Sequence, residues 1–262
     1  WWPIKYPWHV LNLMQDYYLK NLGQRMAAVE RFIDESALVD TDPKNITGNV
    51  HISKGVKIES NVTIKGPVFI DENVRIESGA YIVGPTIISK GALIFHNADI
   101  RGPVYIGCEA RIYQLANVRE SMVSNNCIIG FNSEVNRSYV GCYTEMHTGT
   151  LLDSVVADTA DRKKPTNISK FACTYNFRQD RGEVKSTVKG KVMLTGRTKL
   201  GAIIGAGAFL GGGALIMPGY KIGQNAVVGP TTVVCEDIPD NELFYEKQEY
   251  ARKTLADQAG AE

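Results

Sequence analysis

The amino-acid sequence predicts an all-β solenoid, a parallel β-helix built from hexapeptide repeats with a helix at each end. Isoleucine recurs every six residues from Ile52 to Ile112, and small or β-branched residues keep the same period two positions earlier, from Val50 to Ala110. Turn-forming pairs such as Gly66-Pro67 stand between these positions. A period of six matches neither an α-helix, which repeats every 3.6 residues, nor a long alternating strand.

The repeat has a simple physical interpretation. Each hexad supplies one short strand, and two side chains that lie two positions apart on a strand share a face. Three hexads make a triangular coil of about 18 residues, and successive coils stack as parallel strands roughly 4.8 Å apart. One hexad cannot bury its own apolar face, but a stack of hexads can. We therefore expect columns of aliphatic side chains inside a solenoid that runs from about residue 46 to residue 238.

The repeat is interrupted once and is flanked by two other segments. The polar run near 157–166 breaks the period and predicts a loop inserted into the solenoid. Residues 9–34 carry apolar residues at helical spacing, which predicts one or two helices within an N-terminal segment 1–45. The C-terminal segment 239–262 is expected to form another helix. Because the ends of a solenoid need to be covered, we expect both helical segments to be caps.

Composition and charge limit the classes of function. Hydrophobic residues make up 44% of the chain and charged residues 22%, which is the balance of a folded globular protein. The formal net charge of +1 gives no field that would gather nucleic acid or an anionic membrane, so neither is an expected partner. We predict a cytoplasmic protein from three observations. The five cysteines lack close pairing, no apolar run reaches about 18 residues, and no signal peptide is recognised.

Segments outside the simple repeat carry a resemblance to a known family. They are Trp8-His-Val-Leu-Asn-Leu-Met14, Gly182-Glu-Val-Lys-Ser-Thr-Val-Lys-Gly-Lys191, Thr195-Gly-Arg-Thr-Lys-Leu-Gly-Ala202 and Ile216-Met-Pro-Gly-Tyr-Lys-Ile-Gly223. Together with the repeats, they resemble the C-terminal half of bifunctional sugar-1-phosphate nucleotidylyltransferase/amino-sugar acetyltransferases, within the hexapeptide-repeat acyltransferase superfamily. The resemblance implies that the coils wind left-handed, which the spacing by itself does not determine.

Two more motifs resemble the acetyl-transfer site of that family. There, the histidine of H-x-x-Y-x-G-D is the general base, and an asparagine near the end of G-A-G-T-I-T-x-N positions the substrate. The first motif matches at His147 and Asp153, and the second matches at Thr174 and Asn176. The resemblance implies that His147 takes the proton of the attacking amine, because histidine titrates near neutral pH, and that Asn176 supports the oxyanion. A solvated corner histidine and a turn asparagine are the alternatives.

Arginine side chains are candidates for holding a sugar phosphate through charge-assisted hydrogen bonds. The predicted substrate-binding residues are Arg111, Arg137, Asp153 and Arg178. The alternative interpretation, for each arginine taken singly, is an exposed side chain on a coil face that binds no substrate. The sequence departs from the family where Thr150 replaces tyrosine, Leu152 replaces glycine, and Lys170-Phe171 replaces a small alanine–glycine pair.

The glycine-rich run from Gly205 to Gly213 predicts a coil face that is nearly free of side chains. Such a face would let the extended pantetheine of acetyl-CoA lie along the backbone. The predicted cofactor-binding residues are Ala202, Gly211, Gly212 and Gly229. The alternative is that tight solenoid corners require glycine for conformational reasons. The run is not a phosphate-binding loop, because no Gly-Lys-Ser/Thr follows it.

The leading hypothesis is therefore an acetyl-CoA-dependent N-acetyltransferase that acts on an amino-sugar phosphate such as glucosamine 1-phosphate. It is expected to work as a homotrimer with its site between neighbouring solenoids. The second hypothesis is a non-catalytic trimerisation or regulatory module of a sugar nucleotidylyltransferase. A carbonic anhydrase of the same fold is disfavoured, since the four histidines lack the spacing of its zinc ligands, and no metal site is predicted.

Overall fold

The computed structural model describes residues 3–28, 30–247 and 249–252. Three parallel sheets of 10, 11 and 10 strands form the sides of a triangular prism, and each strand pairs with the strands one coil before and one coil after it. This architecture is the left-handed parallel β-helix that the sequence predicted. We name the corners of the prism by the two sheets that each one joins.

The strands are two to four residues long, as expected for one side of a small triangular coil. The first sheet contains Phe32–Ile33, Val50–Ile52, Val68–Ile70, Thr86–Ile88, Val104–Ile106, Met122–Val123, Tyr139–Val140, Val155–Val156, Ile203–Ile204 and Lys221–Ile222. The second contains Leu38–Val39, Lys57–Ile58, Arg75–Ile76, Leu93–Ile94, Arg111–Ile112, Ile128–Ile129, Thr144–Met146, Thr166–Ile168, Phe209–Leu210, Val227–Val228 and Leu243–Phe244. The third contains Ile46–Thr47, Thr63–Lys65, Tyr81–Val83, Asp99–Arg101, Asn117–Arg119, Glu134–Asn136, Gly149–Leu152, Ala172–Thr174, Leu215–Ile216 and Val233–Val234.

The core consists of the aliphatic columns that the repeat predicted. Ile52, Ile70, Ile88 and Ile106 pair in register through the first sheet, and all four side chains are fully buried. Burial of one such side chain contributes roughly 1.5–3 kcal/mol, so the stacked columns supply the main driving force for the fold.

A serine ladder explains why the period of six weakens after Val118. In the earlier coils the third–first corner contains a Gly-Pro pair, but the later coils lose one residue there and place Ser121, Ser138 and Ser154 in the corner. Ser138 N–H donates to Ser121 Oγ at 3.0 Å, Ser154 N–H donates to Ser138 Oγ at 3.0 Å, and Ala202 N–H donates to Ser154 Oγ at 3.1 Å. The hydroxyls thus accept hydrogen bonds from backbone N–H groups at each shortened corner.

A helix from His9 to Met26 lies along the first sheet instead of over the end of the solenoid. It is α-helical at His9–Asn12, π-helical at Leu13–Leu19 and α-helical at Lys20–Met26. Its buried side chains pack on outward residues of the sheet from Phe69 to Ile203. The predicted N-terminal helix is therefore present, but its role as an end cap was wrong, because the outer face of the first sheet is apolar enough to hold it. A 3₁₀ turn follows at Pro43–Asn45.

The limits of the solenoid differ from those expected. Strands begin at Phe32 and continue to Leu243–Phe244, so the expected C-terminal helix was wrong for the described residues up to 252. Residues 253–262 of that expectation lie outside the described residues. No helix among residues 3–28, 30–247 and 249–252 has the length and apolar character to cross a membrane.

Two insertions leave the coils, where the sequence predicted one. The first occupies the first–second corner between Val155–Val156 and Thr166–Ile168. The second lies at the third–first corner between Ala172–Thr174 and Ile203–Ile204, and it contains an antiparallel hairpin of Lys185–Val188 and Lys191–Leu194. The second insertion escaped prediction because its alternating apolar residues resemble further short strands of the solenoid.

Candidate functional site

The second–third corner brings the predicted base and three of the predicted cofactor-binding glycines together. One residue follows each strand of the second sheet directly, and in four successive coils these residues are His147, Ser169, Gly211 and Gly229. Each of the first three donates its N–H to a carbonyl of the next coil, with distances of 2.9, 3.0 and 2.8 Å. His147 and Gly211 are two coils apart, which is about 10 Å at the spacing of parallel strands.

Glycine occurs at this corner for two different physical reasons. A Cβ on Gly130, one coil below His147, would lie 1.9 Å from the His147 carbonyl oxygen, and a Cβ on Gly211 would lie 2.6 Å from Pro230 N. Close backbone packing therefore excludes a side chain at both positions. A Cβ on Gly212 would meet only the Lys170 carbonyl oxygen at 3.4 Å, which is ordinary contact distance. The bare surface at Gly212 is not imposed by the packing of the corner.

His147 is exposed and is held by a short polar chain. Ser169 Oγ donates to Asn167 Oδ1 at 3.0 Å, and Asn167 Nδ2 lies 3.4 Å from His147 Nε2. Asn167 was not predicted as a site residue, since the insertion just before it hides its register. Its outward position on the second sheet, one coil above Glu145, is visible only once the strands are aligned. The imidazole is thus accessible to a ligand and has an amide neighbour that can orient it.

Exposed apolar side chains surround this corner. Phe171 is 70% exposed, and Phe131 and Leu115 are also exposed. The coil that contains His147 passes from the second to the third sheet with one residue fewer than the next coil, which inserts Phe171 with a φ of 63°. The corner therefore combines His147, exposed apolar side chains and the small residues Gly211, Gly212 and Gly229, which we name the glycine strip.

A second group of predicted site residues forms a buried ionic cluster at the third–first corner. Asp153, 1% exposed, accepts hydrogen bonds from Arg137 Nε at 2.9 Å, from Arg137 Nη2 at 2.8 Å and from Asn176 Nδ2 at 2.6 Å. Arg197 Nη2 lies 3.6 Å from the Asp153 carboxylate. The carboxylate has no free face for a substrate, so the cluster can position neighbouring groups but cannot bind a ligand through Asp153.

Arg197 connects this cluster to the N-terminal helix. Its Nη1 donates to Asn12 Oδ1 at 2.6 Å, and its Nη2 donates to Gln15 Oε1 at 2.8 Å. Gln15 Nε2 in turn donates to the Arg137 carbonyl oxygen at 3.1 Å. The hydrogen bond to Asp153 raises the pKa of Arg137, whereas burial lowers the pKa of Arg197. Both guanidinium groups remain charged at physiological pH, because arginine cannot be deprotonated there.

The remaining predicted residues lie apart from both groups. Arg111 is exposed on the outer face of the second sheet, between Leu93 and Ile128. Arg178 pairs with Asp180 in the second insertion. Ala202 is buried beside the serine ladder, far from the glycine strip of the second–third corner.

One chain does not bring all the predicted site residues together. His147 and Asp153 lie on either side of the strand Gly149–Leu152, and a strand of four residues spans about 13 Å. The second–third corner holds His147 with Gly211, Gly212 and Gly229, whereas the third–first corner holds Arg137, Asp153, Asn176 and Ala202. Within the part of the chain that the structure describes, no group of three or more His, Cys, Asp or Glu side chains is placed to hold a metal ion.

Part of the chain is similar in sequence to known bifunctional proteins. A bifunctional sugar-1-phosphate nucleotidylyltransferase/acetyltransferase from Sulfurisphaera tokodaii is 37% identical over 117 residues, which are 44% of this chain and 28% of that protein. The bifunctional protein GlmU of Methanocaldococcus jannaschii is 32% identical over 139 residues, which are 52% of this chain and 32% of that protein. The resemblance inferred from the sequence is thereby confirmed over about half of the chain, and the chain spans less than a third of these relatives' lengths.

Among solved structures, a UDP-N-acetylglucosamine acyltransferase from Francisella novicida aligns with a TM-score of 0.49 and 16% identity. The alignment covers 82% of this chain and 66% of that one. No protein-family model matches the chain.

Proposed function

We propose that this chain is an acyltransferase that moves an acetyl group from acetyl-CoA to the amine of an amino-sugar phosphate, such as glucosamine 1-phosphate. One observation carries the proposal: His147 stands in the same corner column as Ser169, Gly211 and Gly229. A base therefore lies two coils below the pair Gly211-Gly212, with Ser169 and Phe171 in the intervening coil. The relative from Sulfurisphaera tokodaii, whose name includes acetyltransferase, supports the same reaction class.

The strip suits an extended thioester donor. Gly212 lacks a side chain that packing would have tolerated, and its N–H donates no hydrogen bond among the described residues. That N–H can donate to a carbonyl of the pantetheine chain. Placed this way, the donor would run from Gly212 towards His147, which lies two coils away at about 4.8 Å per coil.

The chemistry asked of His147 is proton transfer. The amine nitrogen attacks the thioester carbonyl, and neutral His147 takes the proton that the nitrogen loses. The C–N bond forms, the C–S bond breaks, and the sulfur leaves as CoA thiol with the proton that His147 had taken from the amine. His147 Nε2, which lies 3.4 Å from Asn167 Nδ2, gives up that contact when it takes the proton, and Ser169 Oγ keeps the Asn167 amide in place. No covalent intermediate with the protein is needed.

A homotrimer completes this proposal. The two groups of predicted site residues lie on different corners of one chain, so a neighbouring copy is needed to bring a third–first corner close to His147. The exposed Phe131, Phe171 and Leu115 around the second–third corner fit burial between copies, since contiguous apolar surface marks interaction sites. Closed three-fold symmetry would give three equal sites.

The test measures release of CoA thiol from acetyl-CoA with a panel of hexosamine phosphates. His147→Ala should lower kcat by a factor of about 10²–10⁴, the usual contribution of a general base. His96→Ala is the matched control, because His96 is exposed on the same corner three coils earlier and should leave the rate within two-fold. A His147→Ala enzyme with full activity would refute the assigned base.

The non-catalytic trimerisation or regulatory module stays as the second candidate because of one observation. Asp153, Arg137 and Asn176 are hydrogen-bonded to one another in a buried network, and the exposed Phe171 stands at a position where the family has a small residue. For such a module, calorimetric titration of the assembled protein would show no acetyl-CoA binding. Binding that is lost on Gly212→Phe would instead support the transferase.

A further inference from the structure

The second insertion concentrates positive charge on one part of a nearly neutral chain. Residues 175–202 contain seven lysine or arginine side chains and two carboxylates, which give a net charge of +5. The whole chain carries +1, so the remainder carries −4. The average charge of the chain predicts no attraction to an anionic surface, but it conceals this separation. The insertion has the local positive field that the chain as a whole lacks.

Three lysines of the insertion lie on its hairpin without counter-ions. Lys185 begins the first hairpin strand, Lys189 lies in the turn, and Lys191 begins the second strand. All three side chains are exposed, and none forms an ion pair with a residue that the structure describes. The hairpin therefore presents three cations to solvent within seven residues of sequence.

Both carboxylates of the insertion have other partners. Asp180 pairs with Arg178. Glu183 accepts a hydrogen bond from the Gly196 N–H, beyond the end of the second hairpin strand. Because neither carboxylate pairs with a hairpin lysine, the three lysines keep their attraction for an external anion.

Two exposed aliphatic side chains lie among these lysines. Val192 is 68% exposed and Leu194 is 61% exposed. They are two positions apart on one strand, so they share a face, and they pair across the hairpin with Thr187 and Lys185. Aliphatic side chains flanked by lysines are typical of elements that lie in the boundary between lipid headgroups and acyl chains.

The hairpin is a fixed element with a projecting tip. Its inner face is packed, since Ser186 is 4% exposed and Val188 contacts the apolar cluster beneath the N-terminal helix. Lys221 Nζ donates to the Thr187 carbonyl oxygen, which ties the hairpin to a later coil. A Cβ on Gly190 in the turn would meet no other part of the described chain within 4 Å. The tip is therefore accessible to a large surface without rearrangement of the hairpin.

A lipid surface accounts for both features of the hairpin, whereas other anionic partners account for one. Nucleic acid would attract the lysines through its phosphates but would leave Val192 and Leu194 without an apolar contact. The cores of protein interfaces are depleted in lysine, and two aliphatic side chains supply little of the area that a stable interface needs. An anionic bilayer attracts the cations and also accepts the aliphatic pair.

We propose that the hairpin binds reversibly to the surface of a bilayer that contains anionic phospholipid. The lysines lie against the headgroups, and Val192 and Leu194 enter the boundary with the acyl chains. Each lysine near such a surface multiplies partitioning by about five-fold, so the three together favour anionic over neutral vesicles by about 100-fold. This contact is separate from the acetyl-transfer site and does not depend on it.

The experiment measures co-sedimentation of the full chain with two kinds of vesicle, one of phosphatidylcholine alone and one of phosphatidylcholine with about one third phosphatidylglycerol. We expect binding to the second kind that weakens as salt is raised, because salt screens the attraction. The double variant Lys189→Glu with Lys191→Glu should lower the partition coefficient by at least about twenty-fold. The double variant Val192→Ser with Leu194→Ser should lower it at least about five-fold and keep the salt dependence.

The matched control is Lys163→Glu with Lys164→Glu. These two exposed lysines lie in the first insertion, at a different corner, and their reversal changes the net charge of the chain by the same amount. The control should partition within two-fold of wild type. A control that loses as much binding as the hairpin variant would show that total charge, not the hairpin, drives the association, and would overturn the proposal.

Hydrogen exchange locates the contact. Anionic vesicles should slow exchange of backbone amides in residues 185–194 and leave those in residues 157–166 unchanged. The proposal is overturned if no binding to anionic vesicles occurs at millimolar lipid, or if phosphatidylcholine vesicles bind equally well. It is also overturned if polyuridylic acid binds as tightly as the anionic vesicles, or if Val192→Ser with Leu194→Ser changes the oligomeric state, which would place this face between copies of the chain.

Discussion

Replacement of Asp153 by alanine should destabilise the protein strongly, because the buried carboxylate balances two partly buried cations. It accepts three hydrogen bonds of 2.6 to 2.9 Å, and Arg197 adds an ion pair at 3.6 Å. Removing one partner of a buried ion pair costs about 3–5 kcal/mol. The Arg137 side chain is 25% exposed and the Arg197 side chain is 15% exposed, so water reaches both in part. We expect a loss of about 3 kcal/mol in the free energy of unfolding.

The assay is unfolding in guanidinium chloride, followed by far-UV circular dichroism, for Asp153→Ala and Lys90→Ala. Lys90 pairs with Glu72 on the surface, and such exposed pairs contribute little, so this control should resemble wild type. Hydrogen exchange adds a local readout, because Arg197 also holds Asn12 and Gln15 of the N-terminal helix. Backbone amides of residues 9–26 should exchange faster in Asp153→Ala. If Asp153→Ala unfolds at the same denaturant concentration as Lys90→Ala, the cluster does not stabilise the fold as argued.

Three other predictions follow from buried polar groups. Ser138→Ala should cost about 1–3 kcal/mol in denaturant unfolding, because the Ser154 N–H loses its acceptor, whereas Ser53→Ala should change nothing measurable. Burial raises the pKa of Cys127 to about 12. A maleimide at pH 8 should therefore label the exposed Cys235 in the folded protein and leave Cys127 unlabelled, as mass spectrometry would show. Early labelling of Cys127 would contradict this. Burial also raises the pKa of Tyr139 from 10.0 to about 12, so its stabilisation is complete below pH 10 and is lost as the pH rises towards 12. Tyr139→Phe should therefore lose less stability than wild type across that interval.

Sequence periodicity predicted the part of the fold that repeats. The isoleucines from Ile52 to Ile112 lie in the expected columns, because one hexad can bury its apolar pair only against the next coil. Corners that lose a residue were less predictable, since Ser121 and Ser138 replace Gly-Pro pairs without any local turn signal. The position of the N-terminal helix was also beyond the sequence pattern, because an amphipathic helix fits either an end or a side of a prism.

The candidate site was predictable only in part. The family motif located His147, and the glycine run located Gly211 and Gly212 on the same corner. The sequence did not reveal that Asp153 and Asn176 contact each other in a buried cluster. Their contact depends on the second insertion, which returns to the third–first corner. Arg197 was absent from the prediction for the same reason: it is distant in sequence from both partners and meets them only in three dimensions.

The helix along the first sheet changes how the solenoid can unfold. In a stack of repeats each coil touches only its neighbours, so such proteins can unzip from one end, coil by coil. Here the residues against the helix come from seven successive coils, from Phe69 through Tyr105 to Ile203. The helix acts as a brace that links non-adjacent coils, and this middle section should resist mechanical pulling and proteolysis as one cooperative block. Coils beyond the brace, which begin with Phe32–Ile33 and end with Leu243–Phe244, should fray independently.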